Sequence, residues 1–546
     1  MKTIAIILFL TLSYVASAQH IRFDWQNCLE NTYGNHLDIL PADIVATGDG
    51  YIIVSNYDNP NYVVPPGTEQ ADLWVIKINH TGDVVWSKFL CGTRNDGPVR
   101  IIATTNTNYY IFGSTGSDDG DITYDPYPNA SNYWIIKING NGDKLWDRVV
   151  GGSIWDVSKD ATATPDGGIV ALGQTLSSDG DVTHHYGFWD LWAIKLDSLG
   201  NTVWDFTLGS SGAEWGTGII HTSDGGYLIC GSGAHIDNAG NITCTPHTFN
   251  NAEALLVKLN ADGVIEWQQC YGGSEDDGFT ALSETTDGFI IFGSTASSDG
   301  NLQGSNYHLG YNHLGGSTFD YWILKTDFSG NIKWQKCYGG TLDEFSNRLF
   351  QPSTKDLVLF GTTESMDGDI IGTHSIFPDV PYKDIWMLKL DSIGNYKGQR
   401  CIGSRSDEHF INGVLLLNDS NYVLTTQFFI GSNGDIACGT DPNIGGKFKL
   451  WVTHFTDSLL VTGIEPMQEL KTSIYPNPAQ DIVTIENPLS GVASITFYDV
   501  FGRSIRKCLL NDVKTAINVS NFENGIYFYI VQFGKNETKG KLIISR

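Results

Sequence analysis

The sequence has few basic residues and, after its first 19 residues, no long apolar run. Lys and Arg number 33 against 61 Asp and Glu, so the formal net charge is −28. An acidic field repels nucleic acid and anionic membranes, and permits cations, neutral glycans or basic proteins as partners. No later apolar run approaches the roughly 20 residues of a membrane-spanning helix. Composition therefore predicts a chain without nucleic-acid partners and without a transmembrane segment.

Local catalytic motifs are also missing. The sequence contains no GxSxG elbow, no HExxH helix and no Walker loop. We therefore predict no cofactor other than, as a candidate, calcium, and we name no catalytic residue. An enzyme whose active site is assembled from distant segments is still an alternative, because a carboxylate pair for polysaccharide cleavage cannot be recognised without geometry.

What the sequence does have is an internal repeat. Its first signature residue is an aromatic or leucine at positions separated by 58 to 67 residues, namely Trp74, Trp134, Trp192, Leu255, Trp322, Trp386 and Trp451. In the first six copies a lysine follows three residues later and a glycine eight residues later. In the first five copies a tryptophan follows twelve residues later. A fixed period of this length indicates a repeat array.

Each repeat contains four short runs rich in β-branched and aromatic residues, separated by Gly, Asn and Asp turns, and this pattern predicts a four-stranded meander. The mature chain opens on IRFDWQNC, which matches IKWQKC near Trp334, whereas the last repeat supplies only three strands. The opening strand therefore completes the last unit, and a closed ring protects both sheet edges. We predict an all-β, seven-bladed β-propeller with the anchor tryptophans in its core; six blades would result if one end is misread.

Two kinds of loop alternate along the predicted blades. Tight Asp-Gly and Asn-Gly turns share one end, and long variable loops share the other, where function is usually located. The long loops carry a recurring SxDGD spelling, with aspartates at Asp119, Asp121, Asp179, Asp181, Asp299, Asp367 and Asp369. Clustered carboxylates suggest a hard cation such as calcium. The alternative is that these residues only form turns and that their carboxylates face water.

The same loops carry histidines and tyrosines that predict a ligand-binding rim: Tyr124, Tyr127, His184, His185, Tyr186, Tyr307, His308, Tyr311, His313 and His374. Aromatic side chains can stack on sugar rings or anchor a protein partner. No two of these histidines have a spacing typical of a zinc site.

Nine cysteines are present. Cys28, Cys270, Cys337 and Cys401 occupy one equivalent repeat position, so they are predicted to lie far apart and to act as small buried hydrophobic residues. Cys230 and Cys244 could pair across a loop, and Cys438 has no obvious partner.

Both ends of the chain contain predicted targeting signals. Residues 1–18 have one Lys, an apolar run and Ala16-Ser17-Ala18, which predicts a cleaved signal peptide. After about residue 464 the repeat ends, and alternating strands with Pro and Gly turns predict a small Ig-like β-sandwich. Here Tyr475-Pro476-Asn477-Pro478, the YDVFGR segment with Gly502, the Gly525-Ile526-Tyr527 turn and the strand containing Lys541 follow one another in order. This segment resembles the C-terminal (type A) sorting domain of type IX secretion substrates.

That resemblance implies handling by the type IX secretion machinery, passage through the periplasm of a Gram-negative bacterium, and release or display at the outer cell surface. The repeats resemble uncharacterised propellers found beside such domains. We therefore expect residues 1–18 as signal peptide, 19–460 as propeller, 461–470 as linker and 471–546 as sorting domain. The expected function is binding of a glycan or protein by the long-loop face. The alternatives are a polysaccharide-degrading hydrolase or lyase on the same face, and a structural surface protein.

Overall fold

The structure is a computed structural model. It describes residues 21–29, 41–58, 71–104, 107–237, 239–302, 317–374, 383–404, 411–429, 435, 448–457, 473–486, 493–499, 503–510, 514–533 and 536–546. Within these ranges every regular element is a β-strand, apart from one 3-10 turn at Gly300–Leu302. The all-β prediction is therefore confirmed. The predicted signal peptide and linker lie outside the described residues.

Two compact units divide between Val461 and Thr462. The first unit begins with β1 (Ile21–Leu29) and then forms sheets in chain order. Sheet I contains β2 (Pro41–Thr47), β3 (Gly50–Asp58), β4 (Ala71–Asn79) and β5 (Val84–Leu90). Sheet II contains β6 (Asp96–Ala103), β7 (Tyr109–Thr115), β8 (Asn132–Ile138) and β9 (Lys144–Val150). Sheet III contains β10 (Asp156–Ala163), β11 (Ile169–Thr175), β12 (Asp190–Leu196) and β13 (Thr202–Leu208).

The next sheets repeat this plan. Sheet IV contains β14 (Ala213–His221), β15 (Tyr227–Ala234), β16 (Ala252–Leu259) and β17 (Ile265–Tyr271). Sheet V contains β18 (Asp277–Thr285), β19 (Gly288–Thr295), β20 (Asp320–Thr326) and β21 (Ile332–Tyr338). Sheet VI contains β22 (Glu344–Phe350), β23 (Leu357–Thr363), β24 (Asp384–Leu390) and β25 (Tyr396–Ile402). Sheet VII contains β26 (Ile411–Asn418), β27 (Asn421–Phe429) and β28 (Phe448–Asp457), and its fourth strand is β1.

Strand β1 pairs antiparallel with β28, so that Trp25 lies opposite His454 and Cys28 lies opposite Trp451. The predicted pairing of the opening strand with the last repeat is confirmed. An apolar cluster fills the space between each pair of consecutive sheets, and a further cluster joins sheet VII to sheet I. The first strands of consecutive sheets also lie beside one another, including β26 beside β2.

The repeat signature is explained by this packing. The anchor residues lie in the third strands, and Trp134, Trp192, Trp322, Trp386, Trp451 and Leu255 are at most 1% exposed, which confirms their core role. In the first five repeats the later tryptophan covers the turn glycine of the next sheet. A Cβ on Gly142, for example, would come within 2.5 Å of Trp86, and φ at Gly142 is +74°. Trp25 covers Gly82 in the same way, where sheet VII meets sheet I.

Five of the six lysines of the series form ion pairs at the short-loop end, whereas Lys137 donates to the Ser198 carbonyl at 3.0 Å. Lys258 Nζ lies 2.9 Å from Asp224, and Lys325 Nζ lies 2.8 Å from Asp287. These lysines are 2% and 5% exposed, so their stems are buried against the sheet while the partner aspartates remain exposed in the turns. The short-loop end is thus devoted to stability.

The cysteine prediction needs correction. Cys244 pairs with Cys270, their Cα atoms being 5.5 Å apart, and Cys28 is also disulfide-bonded. Cys230 is free and fully buried. It faces the cluster between sheets IV and V, whereas Cys244 and Cys270 border the cluster between sheets III and IV, so Cys230 and Cys244 lie on opposite faces of sheet IV. Cys337 and Cys401 are buried, as predicted, and neither is disulfide-bonded.

Removing the Cys244–Cys270 bond with paired serine substitutions is expected to destabilise the protein by about 3 kcal/mol, because the bond closes a loop with a sequence separation of 26. Urea unfolding of the oxidised protein and of the double variant measures this difference. The matched control is Cys91→Ser, at a half-buried cysteine that is not disulfide-bonded. Equal stability of the double variant and wild type would contradict the assignment of this disulfide.

The second unit has two antiparallel sheets on one apolar core. The first sheet contains β29 (Ser473–Tyr475), β30 (Ile482–Glu486) and β33 (Lys514–Asn518). The second contains β31 (Ala493–Tyr498), β32 (Ser504–Leu510), β34 (Gly525–Phe533) and β35 (Asn536–Ile544). Val483, Ile485, Phe497 and Leu542 are buried between the two sheets.

Candidate functional site

The long-loop end is formed by the loops between second and third strands and by the connections between consecutive sheets. Each described SxDGD-type segment folds back onto the preceding connection. In sheet III, Asp179 Oδ1 accepts the Ser153 N–H at 2.8 Å, and Asp181 Oδ2 accepts the Gly151 N–H at 3.2 Å. Ser177 Oγ accepts the Ile154 N–H at 3.1 Å.

Equivalent contacts recur around the body. In each case two side-chain oxygens of the motif accept backbone N–H groups of the preceding connection. The pairs are Asp119 with Thr93 and Asp121 with Cys91, Asp237 with Ser211 and Asn241 with Gly209, Asp299 with Ser274 and Asn301 with Gly272, and Asp367 with Thr341 and Asp369 with Gly339. The glycine in the middle of the motif must be small, because a Cβ on Gly120 would come within 2.2 Å of the Cys91 carbonyl oxygen. The motif therefore acts as a clamp on the sheet-to-sheet connection.

These contacts bear on the metal hypothesis. The carboxylate oxygens of these aspartates accept hydrogen bonds from backbone N–H groups of their own repeat. Among the described residues, no three His, Cys, Asp or Glu side chains converge to hold a metal ion. Calcium binding at Asp119, Asp121, Asp179, Asp181, Asp299, Asp367 and Asp369 stays a prediction.

Replacing Asp179 by Ala is expected to cost about 1 kcal/mol, the usual net value of a hydrogen bond. Hydrogen bonds from Ser153 lower the pKa of Asp179, so the carboxylate form is the one held in the clamp. Thermal unfolding of Asp179→Ala, beside the matched exposed control Asp262→Ala, measures the effect. A rise in midpoint on adding calcium that EDTA reverses and that Asp179→Ala removes would instead support a metal site.

A row of carboxyl groups lies buried beneath the loops. The acidic positions at the starts of the first strands are at most 2% exposed, namely Asp96, Asp156, Glu214, Asp277 and Glu344. In sheet VI, Glu344 accepts the Gly340 N–H at 2.8 Å and the Thr363 hydroxyl at 2.7 Å. Burial raises the pKa of Asp156 to about 6, of Glu214 and Asp277 to about 7, and of Glu344 to about 8.

A second acidic row begins the third strands, close to the first row. A Cβ on Gly339 would lie 2.2 Å from Asp320 Oδ1 and 2.6 Å from Glu344 Oε2, so the two carboxyl groups face the same glycine. Their mutual repulsion adds to the effect of burial on Glu344. At this junction the geometry favours the protonated form of Glu344.

Three histidines of the long loops bind the second row. His247 Nδ1 lies 2.6 Å from Glu253, and His374 Nδ1 lies 3.2 Å from Asp384. His185 lies 3.9 Å from Asp190. Burial alone would lower the pKa of His374, but Asp384 and Asp435 outweigh it and the net pKa is raised. These histidines hold their loops to the sheets.

The predicted ligand-binding residues are not all brought together. The ring of His184 stacks on that of Tyr186, with centroids 6.3 Å apart, and Tyr124 is 72% exposed. The Tyr127 hydroxyl reaches the next sheet's loop, because a Cβ on Gly180 would be 2.5 Å from it. These residues border the connected loops of sheets II and III, and His374 lies in the loop of sheet VI. Tyr307, His308, Tyr311 and His313 lie outside the described residues.

The long-loop end contains a cleft of 450 Å³ where sheets IV, V and VI meet. This size falls within the range of about 300–1,000 Å³ that is usual for ligand pockets. Its walls include Trp215 of β14, Phe319 before β20 and Phe345 of β22, and the Phe319 and Phe345 ring centroids are 5.4 Å apart. We call this concavity the aromatic cleft.

Hydroxyl groups line the rest of the aromatic cleft. Ser346 Oγ accepts from Thr280 at 2.8 Å and from Ser294 at 3.0 Å. Within the described part of the chain, the Trp215 indole N–H and the Ser232 hydroxyl make no hydrogen bond. The nearby acids are occupied: Asp276 Oδ1 accepts the Ala252 N–H at 2.7 Å, and the Asp277 carboxyl bonds to Gly273, Thr295 and Ser297. The cleft thus offers aromatic faces and neutral polar groups.

The sequence reasoning did not find the aromatic cleft. Its three aromatic residues come from three sheets and span residues 215 to 345. One local signal exists, since an aromatic residue directly precedes the buried acid in both Trp189-Asp190 and Phe319-Asp320, and another directly follows it in Glu214-Trp215 and Glu344-Phe345. This signal places aromatic side chains at the rim of a first or third strand.

The second unit contains the predicted sorting motif. Asn477 Oδ1 accepts the Ile543 N–H at 2.8 Å, and Asn477 Nδ2 donates to the Lys541 carbonyl at 2.8 Å, which ties the motif to the last strand. The Tyr475-Pro476 and Asn477-Pro478 peptide bonds are cis, and the Tyr527 hydroxyl donates to the Glu523 carbonyl at 3.1 Å. Gly525 begins β34, and Gly502 lies outside the described residues.

Residues 473–545 match the secretion system C-terminal sorting domain. The resemblance stated from the sequence is therefore confirmed for this part of the chain. A sorting domain of this kind implies handling by the type IX machinery and export to the cell surface or secretion. Within the described residues, no helix is long and apolar enough to cross a membrane.

Other comparisons concern the repeat body. Regulatory protein FlaEY of Caulobacter vibrioides is 25% identical over 369 residues, which are 65% of this chain and 35% of that protein. The Neurospora crassa Pan2 WD40 domain aligns with a TM-score of 0.41 and 7% identity, covering 76% of this chain and 89% of that one. Drosophila Plexin A in complex with Semaphorin 1b aligns with a TM-score of 0.35 and 7% identity, covering 80% and 87%.

Proposed function

We propose that the protein is exported through its sorting domain and that its body is a seven-bladed β-propeller that binds a neutral glycan at the long-loop end. The proposed division is propeller 19–460, linker 461–470 and an Ig-like sorting domain 471–546, with display or release at the outer surface of a Gram-negative cell. The ring is supported by the apolar clusters between consecutive sheets and by the pairing of β1 with β28.

The aromatic cleft is the observation that carries the binding proposal. Trp215, Phe319 and Phe345 line the cleft with aromatic rings on which the C–H face of a sugar can stack, at small cost in conformational entropy. Lys383 covers part of the Phe345 ring, its Nζ lying 5.4 Å from the ring centroid. The Trp215 N–H and Ser232 hydroxyl can bond to sugar hydroxyls. A neutral ligand fits best, because the net charge of −28 disfavours an acidic polymer.

Binding accounts for the long-loop end better than turnover does. Asp277 borders the aromatic cleft and its pKa is raised by burial to about 7, which would suit a general acid. It is only 2% exposed, however, and its oxygens accept from Gly273, Thr295 and Ser297. A carboxyl group committed to these donors holds the loop in place. The loops with Tyr124, Tyr127, His184, His185, Tyr186 and His374 would extend the binding face beyond the cleft.

An array of neutral and acidic oligosaccharides probed with the full exported protein tests the proposal. We expect retention of neutral glycans and a loss of at least about tenfold in affinity for Phe345→Ala, because the stacked ring is removed. Phe328→Ala is the matched control, since Phe328 is a similarly exposed phenylalanine in a short-loop turn, 47% against 39%. Absence of glycan binding, or equal loss in both variants, would refute the proposal.

A further inference from the structure

A second concavity lies on the axis of the repeat body. It has a volume of 330 Å³ and is lined by residues of the first strands of all seven sheets. Each first strand has a register shift near this level. The residue after the shift is, in order around the body, Asp43, Arg100, Asp160, Gly218, Ala281, Arg348 and Gly413. We call this concavity the central cavity.

Four of these positions are charged, and their charges interact across the central cavity. Arg100 Nε lies 3.2 Å from Asp43 Oδ2 and 3.1 Å from Asp160 Oδ1. Arg348 Nη2 lies 3.4 Å from Asp43 Oδ1. The group therefore connects sheets I, II, III and VI, whereas the glycine and alanine positions leave the other side of the cavity unfilled.

Arg100 offers more hydrogen-bond donors than its two carboxylate partners leave acceptors. Its guanidinium has five N–H donors, and the two carboxylates already accept backbone N–H groups, Asp43 from Ile101 at 3.1 Å and Asp160 from Ile219 at 2.9 Å. The short contacts of Arg100 involve Nε. Within the described residues the terminal nitrogens of Arg100 donate no hydrogen bond. The Arg100 side chain is 24% exposed and lines the central cavity.

The two arginines also repel one another. Burial lowers the pKa of Arg348 and the neighbouring Arg100 lowers it further, against the opposing effect of Asp43 and Asp160. A bound anion near both guanidinium groups would remove this repulsion. Terminal guanidinium N–H pairs match the two oxygens of a carboxylate, phosphate or sulfate in a bidentate arrangement.

We propose that the central cavity binds a small oxyanion, held by the terminal N–H groups of Arg100 and the charge of Arg348. The volume admits a small organic acid or an inorganic anion, while a polymer is excluded. This site is independent of the glycan proposal, although Thr280 borders both the central cavity and the aromatic cleft.

Calorimetric titration of the full exported protein with acetate, phosphate and sulfate, at ionic strength held constant with chloride, tests the proposal. We expect saturable binding of at least one of these anions. Preference for acetate would indicate a carboxylate ligand, and preference for phosphate or sulfate a tetrahedral one. The variant Arg100→Lys retains the positive charge beside Asp43 and Asp160 but loses the paired N–H donors of the planar guanidinium. It is expected to bind the anion about tenfold more weakly than wild type.

Two further variants keep the test decisive. Arg148→Lys, on an outer strand, is the matched control and should bind like wild type. Ala281→Leu leaves all four charges in place and fills the cavity, so it should also reduce binding. Unchanged affinity in both Arg100→Lys and Ala281→Leu, or no saturable binding of any of the three anions, would overturn the proposal and leave the charged group as a link between sheets.

Discussion

Removing residues 21–29 from the exported chain is expected to abolish cooperative folding of the repeat body. Without β1, sheet VII keeps three strands and β28 exposes an unpaired edge. The junction between sheets VII and I also loses Trp25, which covers Gly82 and donates to the His80 carbonyl at 2.8 Å. Loss of a strand and of several buried contacts should exceed about 5 kcal/mol, which is comparable to the whole stability of many domains.

Circular dichroism and size-exclusion chromatography of the deletion variant measure this effect. A rescue variant provides the control: residues 21–29 are moved behind β28 through a short turn, so that the same strand forms a hairpin with its partner. We expect the rescue to restore a cooperative transition. A deletion variant that unfolds at the wild-type midpoint would show that the ring does not depend on β1.

Stability is expected to fall by at least about 5 kcal/mol as the pH rises from 4 to 8. Burial raises the pKa values of Asp156, Glu214, Asp277 and Glu344 to between about 6 and 8, whereas an unfolded chain has ordinary values near 4. Below pH 4 these groups are protonated in both states. At higher pH the carboxyl groups ionise first in the unfolded state, and this ionisation stabilises the unfolded state. The free energy of unfolding therefore falls as the pH rises through the folded pKa values.

The acid side has the opposite sign. Burial alone would raise the pKa of Asp224, but hydrogen bonds from Thr222 and Lys258 lower it to about 2, so its stabilising contribution is present above pH 4 and is lost on further acidification. The stability maximum is therefore expected between about pH 4 and 6. Urea unfolding at a series of pH values locates this maximum.

Glu344→Gln provides the specific test of the pH account. The amide cannot ionise, so the variant should lose less stability than wild type between pH 6 and 9. Thr363 can turn its hydroxyl to accept from the new amide. Glu275→Gln, at an exposed position of the same end, should follow the wild-type curve. Stability that increases from pH 6 to 8, or identical curves for Glu344→Gln and wild type, would contradict the assignment of protonated buried acids.

Features that recur at a fixed spacing could be predicted from the sequence. The anchors at Trp134 and Trp322 occupy equivalent strand positions, so their common burial follows from the period. The turn glycines and the later tryptophans were found in the same way. The sequence did not show that Trp86 covers Gly142, because that contact joins two different repeats.

Features that depend on depth or on the path of a loop could not be predicted from the sequence. Asp277 and Glu344 directly follow Asp276 and Asp343 in the sequence. Only the fold shows that the second acid of each pair is buried beneath the loop while the first is more exposed. Cys270 was assigned to the core by its equivalence with Cys337, yet the loop that carries Cys244 crosses the outer strand beside it. The aromatic cleft and the central cavity are each lined by residues of three or more sheets, so no local spacing in the sequence predicts them.

The most direct measurement is a crystal structure of the exported protein with the neutral oligosaccharide that it retains most strongly. We expect a sugar ring in the aromatic cleft, with its C–H face against Phe345 or Trp215 and its hydroxyl groups within hydrogen-bond distance of Ser232 and the Trp215 N–H. A sugar bound elsewhere on the body, with the cleft empty, would contradict the account.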